Sequence, residues 1–368
     1  MRKALSREKN LTTPLPKSDG VPERSSWPPR RRREISFKRL TAVYILIVII
    51  ILFSLLSPHY FFAIATAQQV LNQYSISGLV GLALLLPLAT GLFDLSVASV
   101  ASLAGTAAAW FLANVSANPV LAVVVGLVAA LLVGLVNAVV VLVMEIDSFI
   151  GTLATSGMVL AIATAIGGNT TITTNVNGSF QENVALRNLG GVTEPVFICL
   201  GVAVVLYVAL QRTIFGRRSY AIGFDTEAAR LGGIHVKSVR LVGLLVSAAV
   251  AGLAGILETA SIGASDPSIG SAFLLPAFAV AFLGTTQVRS GRFNVPGTVI
   301  SILLLGTGNV GLLIIGGPNW SPDVFDGVIL IAAVGLTSAG RIRVLRLKRA
   351  LSKRDRGNST AGSVPRVP

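Results

Sequence analysis

The sequence predicts an all-α integral membrane protein with about ten transmembrane helices and with both termini in the cytoplasm. Hydrophobic residues make up 53% of the 368 residues and charged residues only 12%, whereas soluble domains carry about 25% charged residues. No Lys, Arg, Asp or Glu lies between Arg39 and Asp94, or between Asp94 and Glu145. Uncharged runs of this length predict several membrane spans and exclude a water-soluble enzyme.

Three regions follow from the distribution of polar residues. Residues 1–39 are predicted to be a disordered basic cytoplasmic tail, 40–340 a polytopic membrane domain, and 341–368 a second basic cytoplasmic tail. The predicted spans are 40–57, 74–93, 95–114, 119–143, 148–167, 194–213, 241–262, 270–287, 295–315 and 323–340. The polar stretch at 60–73 is expected to lie at the interface, outside the second span.

The basic residues predict the orientation. All of the 30 Lys and Arg residues except Arg187 lie in the two tails, in the 212–240 segment, or at Arg289 and Arg292. Because cytoplasmic loops are enriched in Lys and Arg, this partition favours an even number of spans with both tails inside. The net charge of +14 is therefore interpreted as an orientation signal that also contacts anionic lipid, and not as a nucleic-acid surface.

The composition of the spans predicts how they pack. Gly, Ala and Ser are frequent, as in Ala101, Gly105 and Ala108, and small residues allow helices in lipid to approach closely. Pro87 and Pro276 lie inside predicted spans and are expected to kink them.

Catalytic chemistry is not indicated. The chain has no P-loop pattern and no recognisable catalytic motif, and one cysteine and two histidines do not suggest a disulfide framework or a metal cage. We therefore predict no enzyme activity, no cofactor and no metal. Energy for transport would come from an ion gradient or from another polypeptide.

A few polar residues stand out within the apolar segments. Glu258 is a candidate deep acidic group, or an outer-interface residue if its span ends near Ala260. Asn137 is a candidate pathway residue, or a hydrogen bond between helices. Asp94 is predicted to cap the third span with help from Ser96, and Gly91 would allow the tight turn before it.

The segment 216–236 has the pattern of a short surface helix. Asp225 is a suitable N-cap and Glu227 suits the positive end of the helix. Ala228–Leu231 continue it, and Gly232 with Gly233 would end it. Such a helix suits insertion into a groove on a partner, although an ordinary solvated connector has similar features.

Four motifs in this chain resemble, in order, those of the ribose-type permeases of bacterial ABC importers. They are Phe215–Val236, Gly91–Ser99, Ser148–Thr155 and Phe282–Gly297. The resemblance covers about residues 60–340.

This resemblance implies a permease subunit that imports a small solute, most simply a monosaccharide, across the bacterial inner membrane. The implied partners are cytoplasmic ATPase subunits, an extracytoplasmic binding protein and a second copy of the chain. The implied ATPase-coupling residues are Tyr220, Gly223, Asp225, Glu227, Ala228, Ala229, Arg230 and Gly233. The candidate solute pathway comprises Asn137, Thr152, Ser156 and Glu258.

Two alternatives remain at the level of sequence. One is the related branched-chain amino-acid type of ABC permease, and the other is a stand-alone ion-coupled carrier or channel. The scarcity of charge within the spans disfavours the ion-coupled alternative.

Overall fold

The computed structural model describes residues 41–61, 63–288 and 291–335. Both predicted tails, the end of the tenth predicted span and Arg289 lie outside these residues. The secondary structure of these residues is almost entirely helical, which confirms the predicted all-α fold class.

The described part of the chain forms helices joined by short connections, with one small hairpin. The elements are α1 (Thr41–Leu56), α2 (Pro58–Phe61), α3 (Ile64–Ala83), α4 (Leu85–Ala89), α5 (Val97–Asn114), α6 (Pro119–Ala138, continued by a π-helical turn, Val139–Val143), α7 (Ser148–Gly167), α8 (Ser179–Val184), β1 (Asn188–Leu189), β2 (Val192–Thr193), α9 (Glu194–Arg212), α10 (Ile214–Phe224), α11 (Thr226–Leu231), α12 (Val236–Ile262), a 3-10 turn (Ile269–Phe273), α13 (Leu274–Gly284), α14 (Val295–Ile314) and α15 (321–335).

Within the described residues, seven helical segments are long and apolar enough to cross a membrane. They are Ile64–Ala89, Val97–Asn114, Pro119–Val143, Ser148–Gly167, Glu194–Arg212, Val236–Ile262 and Val295–Ile314. The first and eighth predicted spans coincide with the shorter apolar helices Ala42–Leu56 and Ile269–Gly284. The protein is therefore a multi-pass membrane protein, whereas the count of ten and the orientation stay predictions.

Helices α5 and α12 form the centre of the bundle and meet through small residues. A Cβ atom on Gly255 of α12 would overlap the backbone carbonyl of Ala101 in α5, and one on Gly252 would overlap the methyl group of Ala130 in α6. Because close approach maximises van der Waals contact between helices in lipid, these glycines position α5, α6 and α12 together. The predicted tight packing by small residues is confirmed here.

The second predicted span begins earlier than expected. Helix α3 starts at Ile64, so the stretch that was predicted to lie at the interface is mostly part of one helix. Its polar side chains face the β1–β2 hairpin: Gln68 Nε2 donates to the Gly190 carbonyl at 2.8 Å, and Asn72 Nδ2 donates to the Gly191 carbonyl at 3.0 Å. These contacts satisfy polar groups that would otherwise favour an interface position.

The two prolines act differently. Helix α3 ends at Ala83, four residues before Pro87, where a proline ring clashes with the carbonyl of a continuing helix. The predicted interruption at Pro87 is confirmed. Pro276 lies in the first turn of α13, a position that tolerates proline because its missing N–H has no partner in the helix.

Candidate functional site

The segment formed by α10 and α11 projects a capped helix at one end of the bundle. Asp225 Oδ1 accepts a hydrogen bond from the Ala228 N–H at 3.0 Å, and α11 ends at Gly232, followed by Gly233 with a φ of +80°. The predicted start and end of this helix are therefore confirmed. Helix α9 separates this end, the α11 end, from the hairpin end by about 28 Å at 1.5 Å per residue.

The outer surface of this segment combines apolar and charged side chains. Phe224 is 91% exposed and Leu231 is 86% exposed, and Ala228 lies between them on the surface. Glu227 and Arg230 form an exposed ion pair at 2.8 Å. Phe224 ends α10 and Leu231 ends α11, so two large exposed apolar side chains flank the capped helix and make this segment the candidate docking surface.

The two alanines of α11 have different environments. Ala228 is exposed, whereas Ala229 is only 6% exposed and packs with Ile222 and Val239. Ala229, which the sequence assigns to the partner contact, therefore holds α11 against α10 and α12. Of the pair, only Ala228 presents its side chain to solvent.

A cavity of about 560 Å³ lies beside α11. Tyr220 and Arg292 are among its lining residues, and the Arg292 guanidinium lies 5.7 Å from the centre of the Tyr220 ring. The Tyr220 hydroxyl donates to the Phe293 carbonyl at 2.6 Å. Tyr220 thus joins α10 to the segment that precedes α14.

Helix α10 also contacts the connection between α4 and α5. A Cβ atom on Gly223 would overlap the carbonyl oxygen of Ala89. Gly91 has a φ of +79° and forms a turn in contact with Gly223. Only glycine permits this approach and this turn without strain. Gly223 and Gly91 therefore allow α10 to pack closely against the Thr90–Ser96 loop.

Arg240 in α12 provides a second contact between the same elements. Its Nη2 donates to the Thr90 carbonyl at 3.3 Å and to Thr226 Oγ1 at 3.2 Å. One guanidinium therefore joins the first residue of α11 to the Thr90–Ser96 loop.

Asp94 lies at the centre of a buried polar network and is 1% exposed. Its Oδ1 accepts from the Ser96 N–H at 3.1 Å and from the Ser96 hydroxyl at 2.6 Å, and its Oδ2 accepts from the Ser247 hydroxyl at 2.9 Å. The carboxyl group therefore satisfies donors just before α5 and joins that turn to α12.

The network continues into α6 and α7. Asn137 Nδ2 donates to Ser96 Oγ at 2.7 Å, and Thr155 Oγ1 donates to Asn137 Oδ1 at 2.6 Å. Thr152 Oγ1 accepts from the Leu95 N–H at 3.0 Å. The structure thus brings Asn137 and Thr152 together with Asp94, whereas Ser156 is half-buried one turn further along α7.

Glu258 lies elsewhere, on an open cavity of about 630 Å³ near the hairpin end. Tyr74, Asn309, Asp323 and Asp326 also line this cavity. Asn309 Nδ2 donates to Asp326 Oδ1 at 2.8 Å. Of the four candidate pathway residues, Glu258 is the one that the structure places on this cavity.

One face of α12 connects the three regions. Ser247 follows Arg240 by seven residues and Glu258 follows it by eighteen, so the three side chains point within about 20° of one another on a helix of 3.6 residues per turn. Arg240 contacts the α11 end, Ser247 belongs to the buried network, and Glu258 lines the cavity. Movement of α12 would therefore displace side chains at the α11 end, in the buried network and at the cavity.

Sequence reasoning missed several of these residues. Phe224 and Leu231 are apolar residues that flank a capped polar segment, and this pattern could have identified them in the sequence as candidate docking residues. The roles of Arg240, Ser247 and Asn309 depend on partners far away in the chain, and no local pattern indicates them.

A multi-span helical bundle with a polar cavity near one end and a capped, exposed helix at the other is the architecture expected of a membrane transport protein. The chain belongs to the family described as branched-chain amino acid transport system / permease component, whose model matches residues 66–334. It is accordingly a permease component of a transport system and not an enzyme.

Curated relatives support a more specific class. The chain is 33% identical to a ribose import permease protein of Escherichia coli (strain K12) over 307 residues, covering 81% of this chain and 92% of the relative. It is 32% identical to a D-allose transport system permease protein of the same organism, covering 80% and 89% of the two chains. An L-arabinose transport system permease protein, also from that organism, is 31% identical over 71% of this chain and 78% of the relative. These relatives confirm the resemblance to sugar permeases of ABC importers. No solved structure matches the chain.

Proposed function

We propose that this chain is the membrane-spanning permease of an ATP-driven importer that carries a monosaccharide across a bacterial inner membrane. The observation that carries the proposal is the α10–α11 segment. It exposes Phe224 and Leu231 to solvent and, through Gly223 and Arg240, contacts the loop that leads into the buried network.

The partner at the α11 end is a cytoplasmic ATPase subunit. Burial of one large apolar side chain contributes about 1.5–3 kcal/mol, so a groove that accepted both Phe224 and Leu231 would gain a substantial part of its binding energy from them. Glu227 and Arg230 would set the orientation of the complex, since charged groups favour specificity more than affinity.

ATP-driven movement of this partner would displace α11. Gly223 and Arg240 would transmit the displacement to the Thr90–Ser96 loop, and α12 would carry it to the cavity. In this mechanism Asn137 and Thr152 belong to the moving network, and Glu258 contacts the solute. Ser156 lies one turn from Thr152 and is retained as a candidate of the pathway.

An extracytoplasmic binding protein would deliver the sugar at the hairpin end. There the β1–β2 hairpin is fixed to α3, so it offers a rigid surface beside the cavity. A homodimer of the permease would allow two ATPase subunits each to bind one α11, with membrane lipid around the exposed apolar faces.

Dependence on an ATPase tests the proposal directly. The purified chain should hydrolyse no ATP, and uptake of radiolabelled ribose in cells that express the complete transport system should cease when the P-loop lysine of the ATPase subunit is substituted. Uptake that continued without ATPase activity but stopped on addition of a protonophore would instead support the ion-coupled alternative. Uptake of radiolabelled leucine but not of radiolabelled ribose would support the amino-acid alternative.

The orientation has its own test. Cysteine introduced at Ser26 or Ser352 should react only with membrane-permeant thiol reagents in intact spheroplasts, and cysteine at Leu189 should react with impermeant reagents as well. Cys199 is buried, so the background labelling should be low. Impermeant labelling at either tail would contradict the proposal that both termini are cytoplasmic.

A further inference from the structure

The cavity near the hairpin end has an unusual balance of charge. Glu258, Asp323 and Asp326 line it, and the described residues of its lining include no Lys or Arg. Asp326 is paired with Asn309, whereas Glu258 has no hydrogen-bond or ion-pair partner within the described residues.

Asn309 adds an observation that is independent of the acidic groups. It is 1% exposed, and its Oδ1 has no hydrogen-bond partner in the described part of the chain. A buried carbonyl oxygen without a donor costs free energy, and a ligand that donates a hydrogen bond would remove that cost.

We infer that Glu258, Asp326 and Asn309 form a solute subsite that accepts hydrogen bonds from the hydroxyl groups of a neutral polyhydroxylated molecule. All three residues line the cavity, and the groups that they leave without a partner, the Glu258 carboxyl group and Asn309 Oδ1, contain acceptor oxygens. A sugar supplies several O–H donors in a small volume. The same carboxylates repel an anion, so the subsite selects against sugar acids. The assignment of a sugar as the solute rests on the proposed function. The subsite itself can be tested by measuring binding, without a transport assay.

The experiment measures weak binding to the full chain in nanodiscs by saturation-transfer NMR. The probes are ribose, which is neutral, glucosamine, which is cationic, and gluconate, which is anionic. Ribose should give a signal and gluconate should give little. The Glu258→Gln and Asp326→Asn variants should each weaken the ribose signal and lose most of the discrimination against gluconate, a change of about tenfold in relative binding.

Glu182→Gln is the matched control, because Glu182 is an exposed carboxylate in α8 that does not line the cavity, and its signals should equal those of the unmodified chain. Equal signals for ribose and gluconate, or no effect of either cavity variant, would overturn the inference. Binding of glucosamine without ribose would also overturn it, since the site would then recognise an ammonium group. The result is independent of ATPase-driven uptake, so failure of the subsite and failure of the proposed function are distinguishable.

Discussion

The double variant Phe224→Ser/Leu231→Ser should abolish co-purification with the ATPase subunit while leaving the amount of permease in the membrane unchanged. Both side chains are almost fully exposed in the chain, so their removal costs the fold little. In the complex, each would lose about 2 kcal/mol of apolar burial. The combined loss of about 4 kcal/mol corresponds to roughly a thousandfold weaker binding.

Leu189→Ser provides the matched control. Leu189 is also a leucine with high exposure, 72%, but it lies in the hairpin at the opposite end of the bundle. Its substitution should leave ATPase co-purification intact. Normal co-purification of the double variant would show that α11 is only a connector.

Substitutions that change the size or the charge of a side chain in α11 test the same proposed docking surface. Ala228→Trp should block docking, because Ala228 is exposed between Phe224 and Leu231. Ala229→Trp would instead disrupt the packing of α11 on Ile222 and Val239, so it does not report on docking. Arg230→Glu breaks an exposed ion pair and should therefore affect the complex more than the isolated chain.

The parts of this fold that could be predicted are those determined by neighbouring residues. Apolar runs predict the spans, and the cap and end of α11 follow from Asp225, Gly232 and Gly233, which lie within a few residues of the helix. The interruption before Pro87 is likewise a local consequence of the proline ring.

The parts that could not be predicted depend on contacts between distant segments. Gln68 and Asn72 resemble interfacial residues until the hairpin, 119 residues beyond Asn72, is placed beside them. The burial of Ala229 is decided by Val239 in the next helix. From the sequence alone, Arg240 is interpreted as part of the orientation signal. The Thr90 carbonyl to which it donates is 150 residues away in the chain.

Substitution of Arg240 should separate docking from transport. In an Arg240→Gln variant the shorter side chain would no longer join Thr226 to the Thr90 carbonyl, while Phe224 and Leu231 would remain available to the ATPase. We expect normal membrane abundance and normal co-purification, with uptake reduced on the order of tenfold, since a hydrogen bond from a charged group contributes about 1.5–3 kcal/mol. ATP hydrolysis in the assembled complex should continue without matching solute uptake.

Lys237→Gln is the control for this variant. Lys237 lies three residues earlier on α12 and pairs with Glu145 at 3.1 Å, but both side chains are exposed, and exposed pairs contribute little. Its uptake should therefore stay close to that of the unmodified protein, and Arg240→Lys should restore part of the lost uptake because it keeps one charged donor. If Arg240→Gln lowered abundance and uptake together, Arg240 would only stabilise the fold. If it changed neither, the displacement of α11 would reach α12 by another contact, such as the packing of Ala229 on Val239.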